Sequence, residues 1–393
     1  MKFCGELSYR ADTVDNPFYG FHGVDRNNYL QRRFQIHADL HLTDGALCTF
    51  VQLEDTCSCG KALPIPTGES QSEVHQAFMD NNWLGGGAPL CAFFKPGNSL
   101  CFNEFLSYRD TPNMRYNFDG IRISWARRDG ARADTFAVHP VTIQSGAFSD
   151  GSDSKKLFSV MYVSLPTTGT GGIDFYGYSM DNEHRSLGGG ESGDEQRYTF
   201  GARWYGDQQG WRRSMDLAAQ HGEMGDIRIS AWAVSSEWGY GWNKKGSPLL
   251  MMRFDIASGD KQPGKGRLEA FDPLFSCSQV YGEAGLTTLP NAMIVGSVFS
   301  YSLHPKVHIE PAVLGVRKQS QDDSVYAPSL TPVQGTEGTA RRVGIIYKTR
   351  VNWRVSSNLT VHGDVLWFDV GPALQSAGGD NSAFFSLRDI FRF

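Results

Sequence analysis

The stretch Arg33-Phe34-Gln35-Ile36-His37-Ala38-Asp39-Leu40-His41-Leu42 alternates between polar and apolar residues without a break. Successive side chains of a β-strand point to opposite faces, so this segment has one wet face and one greasy face. His37 and His41 stand four apart, but four residues of strand span about 13 Å, too far for both rings to reach one ion. The same period recurs along the chain. Ile121, Ile123 and Trp125 alternate with Arg122 and Ser124; Phe200, Ala202 and Trp204 with Thr199, Gly201, Arg203 and Tyr205; Met252, Phe254 and Ile256 with Arg253 and Asp255. Tyr347, Thr349, Val351 and Trp353 alternate with Lys348, Arg350, Asn352 and Arg354, and Leu359, Val361, Val365 and Trp367 with Thr360, His362 and Asp364. Helical periodicity is nearly absent.

The connections carry a second signal. Short turns stand at Thr43-Asp44-Gly45, Gly85-Gly86-Gly87, Arg128-Asp129-Gly130, Thr167 to Gly171, Gly206 to Gly210, His304-Pro305-Lys306 and Ser356-Ser357-Asn358. Between them fall long polar stretches at 11–28, 56–72, 96–115, 140–154, 181–195, 258–290, 318–340 and 371–382; the link near Gly222 to Gly225 is the one short member of that set. Backbone groups in hydrocarbon must be paired within the protein, so a membrane sheet has to close on itself. An even number of strands then puts both termini on one side, with tight turns there and long loops opposite. A soluble sandwich has no reason to segregate its links in this way. The expected fold is therefore all-β: one closed antiparallel transmembrane barrel of about 18 strands spanning residues 1–393, with short periplasmic turns and long extracellular loops.

Composition agrees. The chain has 393 residues, 12% of them aromatic, and 44 glycines, as many short strands and turns require. No composition shift or linker divides it. No apolar run approaches the roughly 18 residues of a transmembrane helix; mean hydropathy is negative, which a barrel tolerates because only alternate residues meet lipid. A net charge of -5 without a basic stripe argues against nucleic acid. Seven cysteines, Cys57-Ser58-Cys59 among them, offer no second ligand pair for a metal. No metal or cofactor is expected. Met1 to Glu6 lacks the parts of a secretory signal, which is expected to lie upstream. Trp83, Trp125, Trp204, Trp211, Trp353 and Trp367 stand near strand ends, where an amphipathic ring suits the headgroup level.

Several stretches resemble the alginate-export family of outer-membrane porins, in order and over nearly the whole chain. They are Asn28-Tyr29-Leu30, His37 to Leu40, Phe50 to Leu53, His75 to Phe78, Ser107 to Asn113 and Phe118 to Arg122. The most specific are Ala257-Ser258-Gly259-Asp260, Pro263 to Leu268 and Phe271-Asp272-Pro273-Leu274-Phe275, followed by Ser324 to Pro328 and Arg350 to Arg354. The resemblance implies an 18-stranded barrel in the bacterial outer membrane, with lipid and lipopolysaccharide outside and a basic lumen that passes an acidic polysaccharide such as alginate, or another anion. The chain departs from the family pattern at Cys91 to Phe102, where a lumen arginine is missing and Pro96 ends pairing in a central strand. Cys57, Cys59 and Cys277 also stand where an arginine or a small residue is expected. Asn81, Arg213 and Asp389 interrupt the apolar phase.

By alternation the expected pore-lining residues are Arg122, Arg203, Arg228, Arg253, Asp255, Lys348, Arg350 and Arg354, with Arg212 beside them. Asp39, Asp134, Asp174, Asp216 and Asp364 are further acids on that phase. Guanidinium groups on a rigid wall attract carboxylates and pass them on; the alternative role of each is a salt bridge that stiffens the wall. No nucleophile elbow or metal cluster points to catalysis. A soluble carbohydrate-binding β-protein or a polysaccharide-active enzyme is the alternative. Two further expectations concern the loop 258–290, read as structured and either extracellular or folded into the lumen, with Asp260 and Arg267 as a brace, and Phe393, read as closing the last strand on Phe3 to Arg10 and as the signal for the barrel-assembly machinery. Deleting Phe391 to Phe393 is expected to abolish membrane assembly, seen as loss of the heat-dependent shift in gel mobility; normal insertion of the truncated chain would count against a barrel.

Overall fold

The computed structural model describes residues 2–42, 47–63, 70–84, 88–94, 113, 117–144, 146–167, 169–188, 190–275 and 280–393. The expected turns at Thr43 to Gly45 and Gly85 to Gly87, and the stretches Lys95 to Phe102 and Ser107 to Pro112, lie outside the described residues, as do Cys277 and the side chains of Asn81 and Trp83.

Among the described residues, the main sheet has twenty strands, two of which, Gly151–Ser152 and Arg267–Leu268, are two-residue additions. The other eighteen are β1 (Lys2–Asp15), β2 (Arg26–Leu42), β3 (Leu47–Cys59), β4 (Ser70–Leu84), β5 (Ala88–Phe94), β6 (Phe118–Ala126), β7 (Arg132–Thr142), β8 (Lys156–Pro166) and β9 (Gly172–Ser186), then β10 (Ser192–Gln208), β11 (Trp211–Met224), β12 (Ile227–Gly241), β13 (Leu249–Ala257), β14 (Ala292–His304), β15 (Val307–Lys318), β16 (Arg342–Arg354), β17 (Leu359–Val370) and β18 (Ser382–Arg392). Each pairs antiparallel with the next. β18 then pairs with β1, from Glu6↔Arg392 to Asp15↔Ala383, and the ring is closed. Phe393 extends the seam: its carbonyl accepts from the Gly5 amide at 2.8 Å and its amide donates to the Gly5 carbonyl at 3.0 Å. The seam ladder, Glu6 to Asp15 of β1, is shorter than the β1–β2 ladder, which runs from Lys2 to Asp15, and matches the β17–β18 ladder in length.

Both termini lie on the side of the short turns. Three details differ from the sequence expectation. The turn expected at Gly206 to Gly210 narrows to Gln209 and Gly210, both at positive φ (51° and 87°), as a two-residue hairpin requires. The polar stretch 181–195 is largely strand, because Asp181 to Ser186 and Ser192 to Glu195 extend β9 and β10 beyond the apolar band. A seven-residue link, 242–248, joins β12 to β13 on the turn side, where the sequence reading marked no turn.

The two faces of the wall are chemically opposite. Outward stand Ile121 (55% exposed), Phe200 (56%) and Met161 (61%), with Phe34, Ile36, Leu53, Phe175, Leu217, Val313 and Leu387. Exposed Trp125, Trp204, Trp211, Trp238, Trp242 and Trp353 gather at the turn-side edge, while Trp232 and Trp367 lie nearer the loops. Such a surface is stable against lipid and its headgroup layer. Inward the wall is polar: Gln31, Arg33, Gln35, Gln52, Glu54 and His75 are all buried. Arg213 and Asp389, the two interruptions of the apolar phase, both fall near the turn-side rim, and the Arg213 guanidinium lies over the Trp204 ring at 4.5 Å. No helix among the described residues is long and apolar enough to cross a membrane.

One feature of the interior has no sequence precedent. Its loop-side half is filled by an apolar core: Phe118, Phe136, Phe158, Tyr178, Ile294, Leu314, Ile346 and Phe368 from the wall, with Phe271, Phe275, Leu286 and Leu289 from the 258–291 loop. That loop leaves the side opposite the termini and folds into the lumen. Leu217, at the middle of β11 and facing out, samples the lipid band. Leu217→Arg should cost about 2–4 kcal/mol of stability in urea-dependent folding into lipid vesicles; a loss below about 0.5 kcal/mol, the ordinary range for a surface change, would place this face elsewhere.

Candidate functional site

The site lies where the inserted loop meets the wall. β13 turns Arg253 and Asp255 inward, and both are buried. The Arg253 guanidinium pairs with Asp255 at 2.7 Å and with Glu237 of β12 at 2.9 Å, and it lies over the Tyr281 ring. Asp255 also accepts from the Ser235 hydroxyl at 2.6 Å and from the Tyr281 hydroxyl at 2.9 Å. Three strands further along the wall, Arg350 of β16 pairs with Asp364 of β17 at 2.9 Å and with Glu283 of the loop at 2.6 Å. Lys348, one inward position away, donates to the Val280 carbonyl. Arg10 of β1 pairs with Asp12 at 2.8 Å and reaches Glu283 at 3.5 Å.

Of these groups Glu237, Arg253, Glu283, Lys348 and Arg350, with Glu310, line a cavity of about 200 Å³. Toward the turns it adjoins a space of about 210 Å³ at Arg203, Arg212 and Glu237, and a wider mouth of about 650 Å³ at Trp211, Arg212 and Glu310. Shared lining residues join the three. Open volume therefore runs from the turn-side mouth up to the loop tip, where the apolar core begins.

The eight expected pore residues separate accordingly. Arg253, Asp255, Lys348 and Arg350 converge on the constriction. Arg203 faces inward toward the turns, donating to the Ser214 hydroxyl at 3.1 Å and lying over the Tyr205 ring. Arg122 faces inward on another part of the wall, paired with Asp134 at 2.5 Å, which also accepts from the Ser124 hydroxyl. Arg354 is exposed at the turn-side end of β16. Arg228 is a correction: it is exposed on the outward phase, with Trp232 and Trp238, while Ile229, Ala231 and Ala233 turn inward. Near the loops the inner face is apolar, because Ile229 packs against Met224, Leu268 and Leu330, and the polar phase changes sides.

Arg10, Glu237, Glu283 and Glu310 were missed. Arg10 has a sequence signal, since Glu6, Ser8, Arg10 and Asp12 alternate with Leu7, Tyr9 and Ala11 on the first strand. Glu283 has none, because its place depends on how the loop folds.

The family-like stretches are those that fix the loop. Asp260 is buried and accepts from the Ala270 amide at 3.0 Å and from the Glu269 amide, while its own amide donates to Asp323 at 2.7 Å. The expected brace is thus carboxylate to backbone; Arg267 instead approaches Glu269 at 3.7 Å, partly exposed. Asp272 accepts from Arg185 at 2.9 Å, and its amide and carbonyl both bond the Gln220 side chain, at 3.0 and 2.7 Å. Burial pushes the Glu283 carboxyl above its ordinary range although Arg10 and Arg350 pull it down. Among the described residues no group of acidic, histidine or cysteine side chains is arranged to hold a metal.

The sequence matches the family model described as alginate export over residues 1–386. The chain belongs to the alginate-export family. No curated protein matches it. In fold it is similar to the outer membrane protein OpdK from Pseudomonas aeruginosa, with a TM-score of 0.70 and 9% identity over 100% of this chain and 98% of that one. Pseudomonas aeruginosa OccK2 (OpdF), solved in complex with glucuronate, gives 0.65 and 10% over 100% and 96%. A BenF-like porin from Pseudomonas fluorescens Pf-5 gives 0.65 and 9% over 100% and 99%. Family and fold together make this alginate-export family member an outer-membrane channel for solutes.

Burial, reinforced by the neighbouring Asp323 and opposed by the loop amides, raises the Asp260 carboxyl to about 7. Between roughly pH 4 and 7 the folded loop then binds a proton that an exposed aspartate releases. Stability from this group is lowest above pH 7 and recovers as pH falls. The Tm advantage of Asp260→Asn over wild type should be larger at pH 8 than at pH 5; a pH-independent difference would show that Asp260 is not the titrating group.

Proposed function

We propose that the channel passes polar, anionic solutes by diffusion, with carboxylated sugars and acidic polysaccharide such as alginate as the substrate class. One observation carries the reading: Arg253 of β13 and Lys348 and Arg350 of β16 line a single constriction, and Arg10 of β1 reaches it through Glu283. Family membership and the glucuronate held by a porin of similar fold favour the same class. Each arginine is already matched by carboxylates, so selectivity is a competition in which an incoming anion replaces a wall or loop acid on a guanidinium. The net charge of the chain does not oppose this, because selectivity depends on the constriction and not on the summed loops. Lipid and lipopolysaccharide around the apolar band, and the assembly machinery reading Phe393, complete the proposed setting.

A transport role fits these residues better than catalysis, since the arginines at the constriction are engaged in charge pairing. The test is the reversal potential of single channels under a salt gradient. Wild type should favour anions; Arg350→Gln should reduce that preference by about two- to tenfold, and Arg354→Gln, at the wide mouth, by much less. Equal effects would remove the constriction from the account, and cation preference in wild type would overturn it.

A further inference from the structure

We propose that Glu283 is an internal stand-in for the solute's carboxylate: it occupies the seat on Arg350 and Arg10 that a passing anion must take. The inference rests on the anion reading above and adds the site's occupant and its competitor. Arg350 and Arg10 each hold one carboxylate from the wall, Asp364 and Asp12, on their Nε atoms, at 2.9 and 2.8 Å. Their outer Nη atoms, Arg350 Nη2 and Arg10 Nη1, both meet Glu283, at 2.6 and 3.5 Å. One carboxylate therefore bridges two guanidinium groups from separate strands, β16 and β1, through its two separate oxygens. That is the geometry in which a free carboxylate binds to paired arginines.

Glu283 differs from the wall acids in its backbone. It comes from the loop, follows Gly282 at φ 150° and precedes Gly285 at φ 64°. At Gly282 a Cβ would stand 2.3 Å from Leu366, so the loop tip lies directly against the wall and only a glycine allows that approach. Around Glu283 the tip packs Tyr281, Leu286, Val280 and Ala284 against the apolar core, and polar contacts run from Lys348 to the Val280 carbonyl, from the Tyr281 hydroxyl to Asp255 and from the Tyr19 hydroxyl to the Leu286 carbonyl. Phe271 and Leu289 anchor the loop on either side of this tip in the apolar core, so exchange at Glu283 requires movement of its side chain and not of the loop root. A carboxylate arriving from the turn-side mouth meets the cavity that Glu283 lines and exchanges with it, ion pair for ion pair, with no change in net charge at the arginines.

Binding of glucuronate to the purified full chain in detergent, measured by titration calorimetry, tests this. Glu283→Gln removes the competitor and should bind glucuronate about tenfold more tightly than wild type. Adding Arg350→Gln to that variant should abolish the gain. Glu283→Asp keeps the charge with a shorter reach and should fall between. Wild-type binding that Arg350→Gln abolishes, but that Glu283→Gln leaves unchanged or weakens, would overturn the inference and leave the anion reading standing. Glucuronate binding absent from wild type and from Glu283→Gln alike would overturn both. If Glu283→Gln does not fold, as shown by its gel mobility, Glu283→Asp binding no more tightly than wild type overturns the inference.

Discussion

The pairing of β1 with β18 is the interaction on which the rest depends. An unpaired strand edge in hydrocarbon leaves a row of amides and carbonyls without partners, each costing several kcal/mol. Register from Glu6↔Arg392 to Asp15↔Ala383, extended by Gly5 and Phe393, removes that edge. Closure then dictates the even strand number, the shared side of the termini and the reversal of ordinary protein polarity, with Phe200 and Ile121 outside and Arg33 and Gln52 inside.

Inside the ring, burial of charge is the second constraint. An arginine in a narrow lumen is costly unless paired, and removing one partner of such a pair strands the other. Arg253 between Asp255 and Glu237, and Arg350 between Asp364 and Glu283, meet this requirement with acids from neighbouring strands and from the loop. The same pairing that stabilises the wall sets what a solute must displace. The loop is fixed by a different force: Phe271 and Phe275 enter the apolar core, and Asp260 and Asp272 tie its backbone.

The wall was legible in the sequence because one residue in two faces lipid. Arg33 to Leu42, Thr199 to Tyr205 and Tyr347 to Arg354 read as strands with the correct face outward, and the alternation of short and long links gave the sidedness. The reading failed where the second face stops being polar. Arg228 was assigned inward because polar residues line most of the lumen, yet near the loops Ile229 and Ala231 turn in to meet inserted apolar side chains. The stretch Asp181 to Glu195 looked like loop because β9 and β10 continue beyond the lipid band, where polar residues suit both faces. Of the constriction, Arg253, Asp255, Lys348 and Arg350 were visible by phase. Glu283 was not, since no local pattern encodes which loop residue meets a wall far away in sequence.

Alternate exposure to lipid and lumen along one strand is the central claim, and a nitroxide scan of Tyr347 to Trp353 on β16 measures it directly. Labels at Tyr347, Thr349, Val351 and Trp353 should collide with oxygen dissolved in the bilayer, and labels at Lys348, Arg350 and Asn352 with a water-soluble nickel chelate, the two accessibilities out of phase with period two. Accessibilities that rise and fall together, or show no period, would contradict a membrane-spanning wall with a polar interior.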